Sequence, residues 1–187
     1  MDKRTRLLEA ALQLFVESGF HNTPTSKIAK QAGIANGTLF YFFPTKDDLV
    51  KALYTDIKGR MTAYISERIS DQESLREIMK GYYTASLFWA QQYRTEFRFM
   101  EQFNNSPYLN KIAEEEIRRH LEPVQQLLRQ GIQEQVLKPL DVDLILTLVG
   151  GQIFGLNKYL LDKELSVSQQ AKLIDESFGL LWSMLSR

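Results

Sequence analysis

Cysteine is absent from this 187-residue chain, which excludes disulfides, thiol catalysis and cysteine-ligated metal. Charge of one sign is not in excess either: 23 Lys and Arg balance 23 Asp and Glu, so no global field draws the chain toward nucleic acid. Proline is scarce, at 5, and neither an internal repeat nor a low-complexity linker is present. No apolar run is read as long enough to span a bilayer. The charged start Met1-Asp2-Lys3-Arg4 leads into an amphipathic helix rather than a secretory core, so a cytoplasmic protein with no membrane partner is expected. There is no Ser/His/Asp order, no phosphate-cradling glycine loop and no paired carboxylates in an apolar setting. Neither an enzyme nor a cofactor is expected.

What is present is helical period almost throughout, and the expected class is all-α. At 44% hydrophobic the chain can bury a substantial core, as one small and one larger helical unit, 1–46 and 47–187. A first helix over about 3–18 turns Leu7, Leu8, Ala11, Leu12, Leu14 and Phe15 inward, and Gly19 stops it. After Pro44, Thr45 caps a long helix reaching about 70, with Asp47 and Asp48 at its positive end. Further helices are predicted at about 73–93, 95–104, 108–135, 142–162 and 168–186, with Pro123 kinking or dividing the third of these.

The most informative stretch runs from Thr23 to Leu49. Thr23 before Pro24 fits a helix start, as a cap hydroxyl followed by a proline that needs no donor. Ile28 and Ala32 share a face, Ala29 is small enough to admit a second helix, and Gly33 ends the first helix in a left-handed turn. Ile34 and Leu39 then plug the angle between two short helices. Asn36, Gly37, Thr38 and Tyr41 remain outside, near a helix N-terminus, the end that meets base edges when such a helix lies in a major groove. Phe40 and Phe43 are expected in the core. Lys3, Arg4, Arg6, Lys27, Lys30 and Lys46 outnumber Asp2, Glu9 and Glu17 up to this point, a modest local asymmetry.

These residues resemble the TetR (tetracycline-repressor-like) family of transcriptional regulators. Its pattern of Ile-Ala, Ala-Gly-Ile, Gly-Thr-Leu-Phe, an aromatic run and then Pro-Thr-Lys-Asp-x-Leu is matched almost throughout. The resemblance implies a helix-turn-helix over about 24–43 with 36–42 as the recognition helix. It implies phosphate contacts from Thr23, Thr25, Tyr41 and Lys46, and base reading or close backbone packing at Asn36, Gly37 and Thr38. Two positions depart from the pattern: Ala35 stands where a capping serine is common, and Phe42 where a polar residue often contacts phosphate.

The last two helices carry a second clue. Over 142–161 apolar residues point nearly all round, so burial is needed on more than one side, and a partner molecule is the natural second side. The alternative is an ordinary buried core helix. The resemblance implies pairing of these helices with their copies in a four-helix bundle, and a homodimer suits a roughly palindromic double-stranded DNA operator. The interface stripe is expected at Ile145, Val149, Ile153, Ile174, Phe178, Leu181 and Leu185.

An aromatic-rich zone on the middle helices suits a mostly apolar pocket for a small-molecule effector. Its candidate walls are Tyr82, Phe88, Trp89, Phe99, Met100 and Phe103, with Gln152 and Tyr159 as orienting groups, though core packing or interface hydrogen bonding would equally use these residues. The expected function is a ligand-responsive repressor released from DNA by an apolar or aromatic effector. A helical adaptor is the alternative. A metal enzyme is the other, because Glu116 and His120 have a spacing that can hold a metal; the surrounding Glu114, Glu115, Arg118 and Arg119 favour a salt-bridged surface, and no metal is expected.

Overall fold

The computed structural model describes residues 1–69, 74–108 and 114–187, with side chains of the last span from 121 onward. Among the described residues there are nine helices and no named strand: α1 (Lys3–Ser18), α2 (Thr25–Gln31), α3 (Asn36–Phe42), α4 (Lys46–Ser66), α5 (Leu75–Gln92), α6 (Arg94–Asn104), α7 (Glu114–Gln133), α8 (Val142–Leu161) and α9 (Val167–Leu185). The all-α class is as the periodicity predicts. Contacts divide the chain into two compact units, Met1–Arg60 with Tyr93–Glu114, and Met61–Gln92 with Glu115–Arg187. The first is larger than a cut after residue 46 would make it, because α6 buries Phe97, Phe99, Met100 and Phe103 there.

In the first unit, Asp2 caps α1 by accepting from the Thr5 amide at 2.9 Å, and Gly19 closes the helix at φ 76°. The buried face is the one expected, with Leu7, Ala11 and Phe15 fully enclosed. Thr23 is not the cap of α2. Pro24 holds that position without a side-chain bond, whereas the buried Thr23 hydroxyl lies 2.8 Å from Gly19 O and 3.1 Å from Leu14 O, which share its single proton. The turn after α2 needs a left-handed residue, and Gly33 supplies it at φ 64°. Arg6 reaches across from α1 to donate to Ala32 O at 2.5 Å, so a cation neutralises the negative end of α2. Thr45 and Asp48 form a reciprocal cap before α4: the Thr45 amide donates to the Asp48 carboxylate at 3.0 Å, and the Asp48 amide to the Thr45 hydroxyl at 3.1 Å. Aromatic rings fill the middle, with Phe20 5.1 Å from Phe15 and 5.7 Å from Phe99, and Tyr54 stacked on Phe103 at 4.4 Å.

In the second unit, Ser74 with Glu77 and Ser166 with Gln169 form the same reciprocal cap, and Asp141 caps α8. The core joins Tyr83 and Leu87 of α5 to Leu128 of α7, Ile145 and Leu160 of α8, and Phe178 and Leu181 of α9. Of the expected kink or division at Pro123, the division does not occur: α7 runs through it as one helix. Tyr108, expected as its first residue, sits in a turn and its amide donates to Ser106 Oγ at 3.2 Å. The side chains of Glu116 and His120 lie outside the described residues; among those described, no cluster of three His, Asp or Glu is placed to hold a metal.

Gly33→Ala would force an L-residue into the left-handed region and set its Cβ 2.9 Å from the Arg6 guanidinium. A loss of about 1–2 kcal/mol in urea unfolding is expected, with most of the tertiary signal retained.

Candidate functional site

The outward surface of the first unit is built by α2, the Gly33 turn and α3. Leu39 is the one fully buried side chain of α3, and Ile34 before it is half-buried. Everything else on the helix turns outward to some degree. Tyr41 is 81% exposed, Asn36 and Gly37 are exposed, and Thr38 is half-buried. An added Cβ at Gly37 would meet nothing within 4 Å, so the backbone itself is open to a closely approaching ligand. Ala35 offers no side-chain cap, and the Thr38 and Leu39 amides bond its carbonyl at 2.9 Å and 3.2 Å. The amides of Asn36 and Gly37 belong to the first turn, where no intrahelical acceptor exists. They form an exposed donor pair at the positive end of the helix.

Three expectations change here, at Phe40, Thr23 and Lys46. Phe40 is 42% exposed and not core, whereas Phe43 is buried, with the Arg4 guanidinium 5.6 Å from its ring centre. Phe42 is half-buried, its ring 5.4 Å from that of Tyr41. Thr23 is buried with its hydroxyl committed to two carbonyls, so it is not a phosphate ligand. Lys46 points inward: its ammonium donates to the Phe20 carbonyl and sits 5.9 Å from the Phe15 ring centre. Burial lowers its pKa against the opposing pull of Asp47, and the half-buried ammonium is engaged by a backbone carbonyl of the loop after α1. Arg6 is also engaged; Lys27 and Lys30 are exposed on α2, Arg4 is exposed beside Phe43, and Thr25 is half-buried at the start of α2. Only the tertiary structure separates these lysines from Lys46, since all three look alike as sequence.

The residues expected to line an effector pocket scatter. Phe99, Met100 and Phe103 are core of the first unit. Trp89 is 1% exposed, and Phe88 packs on the second unit's core. Gln152 donates from Nε2 to Ser177 O at 2.9 Å and to Ser177 Oγ at 2.8 Å, and that hydroxyl meets Tyr83 OH at 2.8 Å, so Gln152 ties α8 to α9 instead of facing a ligand. Tyr159 is half in solvent with the Lys163 ammonium 5.5 Å from its ring centre. Tyr82 is the one of the eight placed beside a described cavity. It borders both an apolar cavity of about 100 Å³ between α5, α7 and α8 and a wider groove of about 730 Å³ between α5 and α7.

The expected pairing stripe is likewise largely the chain's own core. Ile145, Ile174, Phe178, Leu181 and Leu185 are buried within the second unit, and Val149 and Ile153 border the apolar cavity. The apolar surface left outside is a different stripe. Leu144, Leu148, Gly151, Gly155 and Tyr159 follow one face of α8, and Leu180, 72% exposed, and Met184 stand out from α9. At Gly151, Gly155 and Gly179 an added Cβ meets nothing within 4 Å. Helix α8 has a mean hydropathy of 1.4 over an 18-residue window of which 17% is buried, so by length and composition it is apolar enough to cross a membrane, contrary to expectation.

A braced, outward-facing short helix with open N-terminal amides, followed by an all-helical second unit, defines a helix-turn-helix DNA-binding transcriptional regulator. The family model for bacterial regulatory proteins of the tetR family matches residues 7–53, and that for the tetracyclin repressor-like C-terminal domain matches residues 54–186. The chain belongs to the tetR family of bacterial regulatory proteins. It is similar to the fatty acid metabolism regulator protein of Bacillus subtilis (strain 168), with 29% identity over 156 residues, 81% of this chain and 79% of that protein. It is also similar to the crystal structure of a tetR family transcription regulator from Shewanella sp. PV-4, with a TM-score of 0.92 and 30% identity over 100% of both chains. The fold is shared with FadR from Bacillus subtilis in complex with stearoyl-CoA, at a TM-score of 0.79 and 23% identity over 96% of this chain and 97% of that one. These relatives regulate transcription, and the chain is not an enzyme.

Thr23→Val removes a buried hydroxyl from two carbonyls. It should cost about 1–2 kcal/mol of stability while leaving DNA affinity per folded molecule unchanged, as chemical unfolding and fluorescence anisotropy would read. Changing Lys27 and Lys30 together to Ala should reduce the salt dependence of DNA binding by a slope of about 2 per subunit, whereas Lys46→Ala should act mainly on stability.

Proposed function

We propose that this chain is a cytoplasmic homodimeric repressor that holds a roughly palindromic double-stranded DNA operator and releases it when a small molecule occupies the second unit. The carrying observation is α3, with Leu39 enclosed and Tyr41 at 81% exposure. In the proposed complex, Asn36 and Thr38 read base edges, Gly37 lets the backbone approach, and Tyr41 with Thr25 meets phosphate, aided by Lys27 and Lys30. Residues 1–46 carry this DNA contact, and the remainder carries ligand binding and pairing.

Pairing is assigned to the outer stripe of α8 and α9. Glycines at open positions let two helices come close, and the exposed Leu144, Leu180 and Met184 supply the apolar centre of an interface. That stripe also accounts for the apolar excess of α8 without a bilayer. The names of two relatives, a fatty acid metabolism regulator and a FadR bound to stearoyl-CoA, support control by an amphipathic small molecule. An effector shifts the operator equilibrium only by its difference in affinity for the bound and released forms. Helix α4 contributes residues to both units, which suits it to carry that difference.

An operator selected from random duplexes should show twofold symmetry. Asn36→Ala or Thr38→Ala should change its preferred bases, whereas Tyr41→Ala should weaken all sequences alike. Unaltered binding by all three variants would remove α3 from the interface. Leu180→Glu should yield a folded monomer by sedimentation with operator affinity sharply reduced, whereas Phe178→Ala should cost about 3–5 kcal/mol in stability, as for a truncated core aromatic.

A further inference from the structure

We infer that the effector of this chain is a compact, weakly polar molecule of about five heavy atoms, a short branched alcohol or ketone, held in the apolar cavity of the second unit with its oxygen on the Ser86 hydroxyl. The inference rests on the effector-controlled reading above and names the ligand class of that site. The described walls of the cavity all belong to the second unit: Met79, Tyr83 and Ser86 come from α5, Leu128 from α7, Val149 from α8 and Leu181 from α9.

Ser86 is the odd member of that wall. It is 5% exposed, and among the described residues its hydroxyl has no hydrogen-bond partner. A helical serine or threonine commonly returns its proton to the carbonyl four residues back, as Thr55 does to Lys51 O at 3.1 Å and Thr147 to Asp143 O at 2.8 Å. Ser86 makes no such bond to Tyr82 O. The Tyr83 hydroxyl next to it in sequence is already taken, by Ser177 Oγ at 2.8 Å. A buried hydroxyl gives up its bonds to water, so leaving one unpaired is unfavourable. Ser86 therefore offers both a donor and an acceptor beside an apolar space.

Water suits such a place poorly, because a buried water needs about two to four polar partners and Ser86 is a single one. A ligand that brings one oxygen and covers the remaining wall with methyl and methylene groups satisfies the hydroxyl and gains the apolar contacts too. The volume sets its size. An apolar cavity of about 150 Å³ holds a benzene ring. At about 100 Å³, this one has room for roughly four or five heavy atoms. The acyl chain of stearoyl-CoA, the ligand of the FadR that shares the fold, is far too long for it.

The test uses the full chain with 2-butanol, 2-butanone and 2-methylbutane, the last carrying a methyl group in place of the hydroxyl of 2-butanol, together with stearoyl-CoA. Methyl NMR shifts read binding, and anisotropy of a labelled operator reads release. The decisive quantity is the ratio of alcohol to hydrocarbon affinity, because the hydrocarbon gains more on leaving water. Ser86→Ala should lower that ratio about threefold to tenfold while hydrocarbon binding persists. Val149→Phe, which fills the cavity, should abolish binding of all three small probes. The parent should release its operator with 2-butanol and 2-butanone and keep it with stearoyl-CoA. An unchanged ratio in Ser86→Ala would overturn the proposal, whether or not Val149→Phe folds. Alcohol binding without release would do the same, as would release that survives in Val149→Phe, which would mark a general solvent effect. Release by stearoyl-CoA alone, or no binding of any small probe to a protein that still holds its operator, would also overturn it. Failure of the unliganded parent to hold any selected operator would strike at the regulator reading instead.

Discussion

A seven-residue helix is too short to persist in water on its own, and α3 exists because Leu39 is fully enclosed and the Gly33 turn aims it. The same constraint makes it useful. One buried side chain fixes position while leaving the rest of the helix outside, with its first amides unpaired and its backbone open at Gly37. Arg6 extends this support by holding the Ala32 carbonyl, so the orientation of the reading helix is tied to α1 through a charged bond as well as through apolar packing. Thr23 and Lys46 belong to that scaffold. Their polar groups donate to carbonyls near the end of α1 and in the loop after it.

The second unit solves a different problem. Helix α8 has more apolar surface than one core can enclose, and the structure divides it: Ile145 and Leu160 go inward, Val149 and Ile153 border a cavity, and Leu144 and Tyr159 stay outside with the open glycines. A single helix thus serves core, cavity wall and outer face at once. The Gln152–Ser177–Tyr83 hydrogen bonds cross three helices at that junction and hold α5, α8 and α9 in one arrangement.

Much of this was legible in the sequence. The ends of α1, α8 and α9 fall within a residue or two of the periodicity's limits, and the Thr45 cap, the Gly33 turn and the buried Phe43 are where local chemistry asks for them. The outward set of Asn36, Gly37 and Tyr41 follows from helical phase alone. The pocket and pairing residues were not legible. Phe99 and Phe103 were read as pocket walls because they are aromatic and clustered, yet α6 folds against α1, a choice made by residues some eighty positions apart. Phe178 and Leu181 form as good an apolar stripe as any interface would need, and periodicity cannot say whether a stripe meets its own chain or another.

The sequence by itself determined the all-helical class, the stops and starts of the helices and the character of the reading surface, because these depend on contacts within a turn or two of the chain. Which apolar stripe became core, which lysine turned inward and where space was left open were decided only in the tertiary structure. Those outcomes rest on long-range packing, where each face competes with every other for the same limited interior.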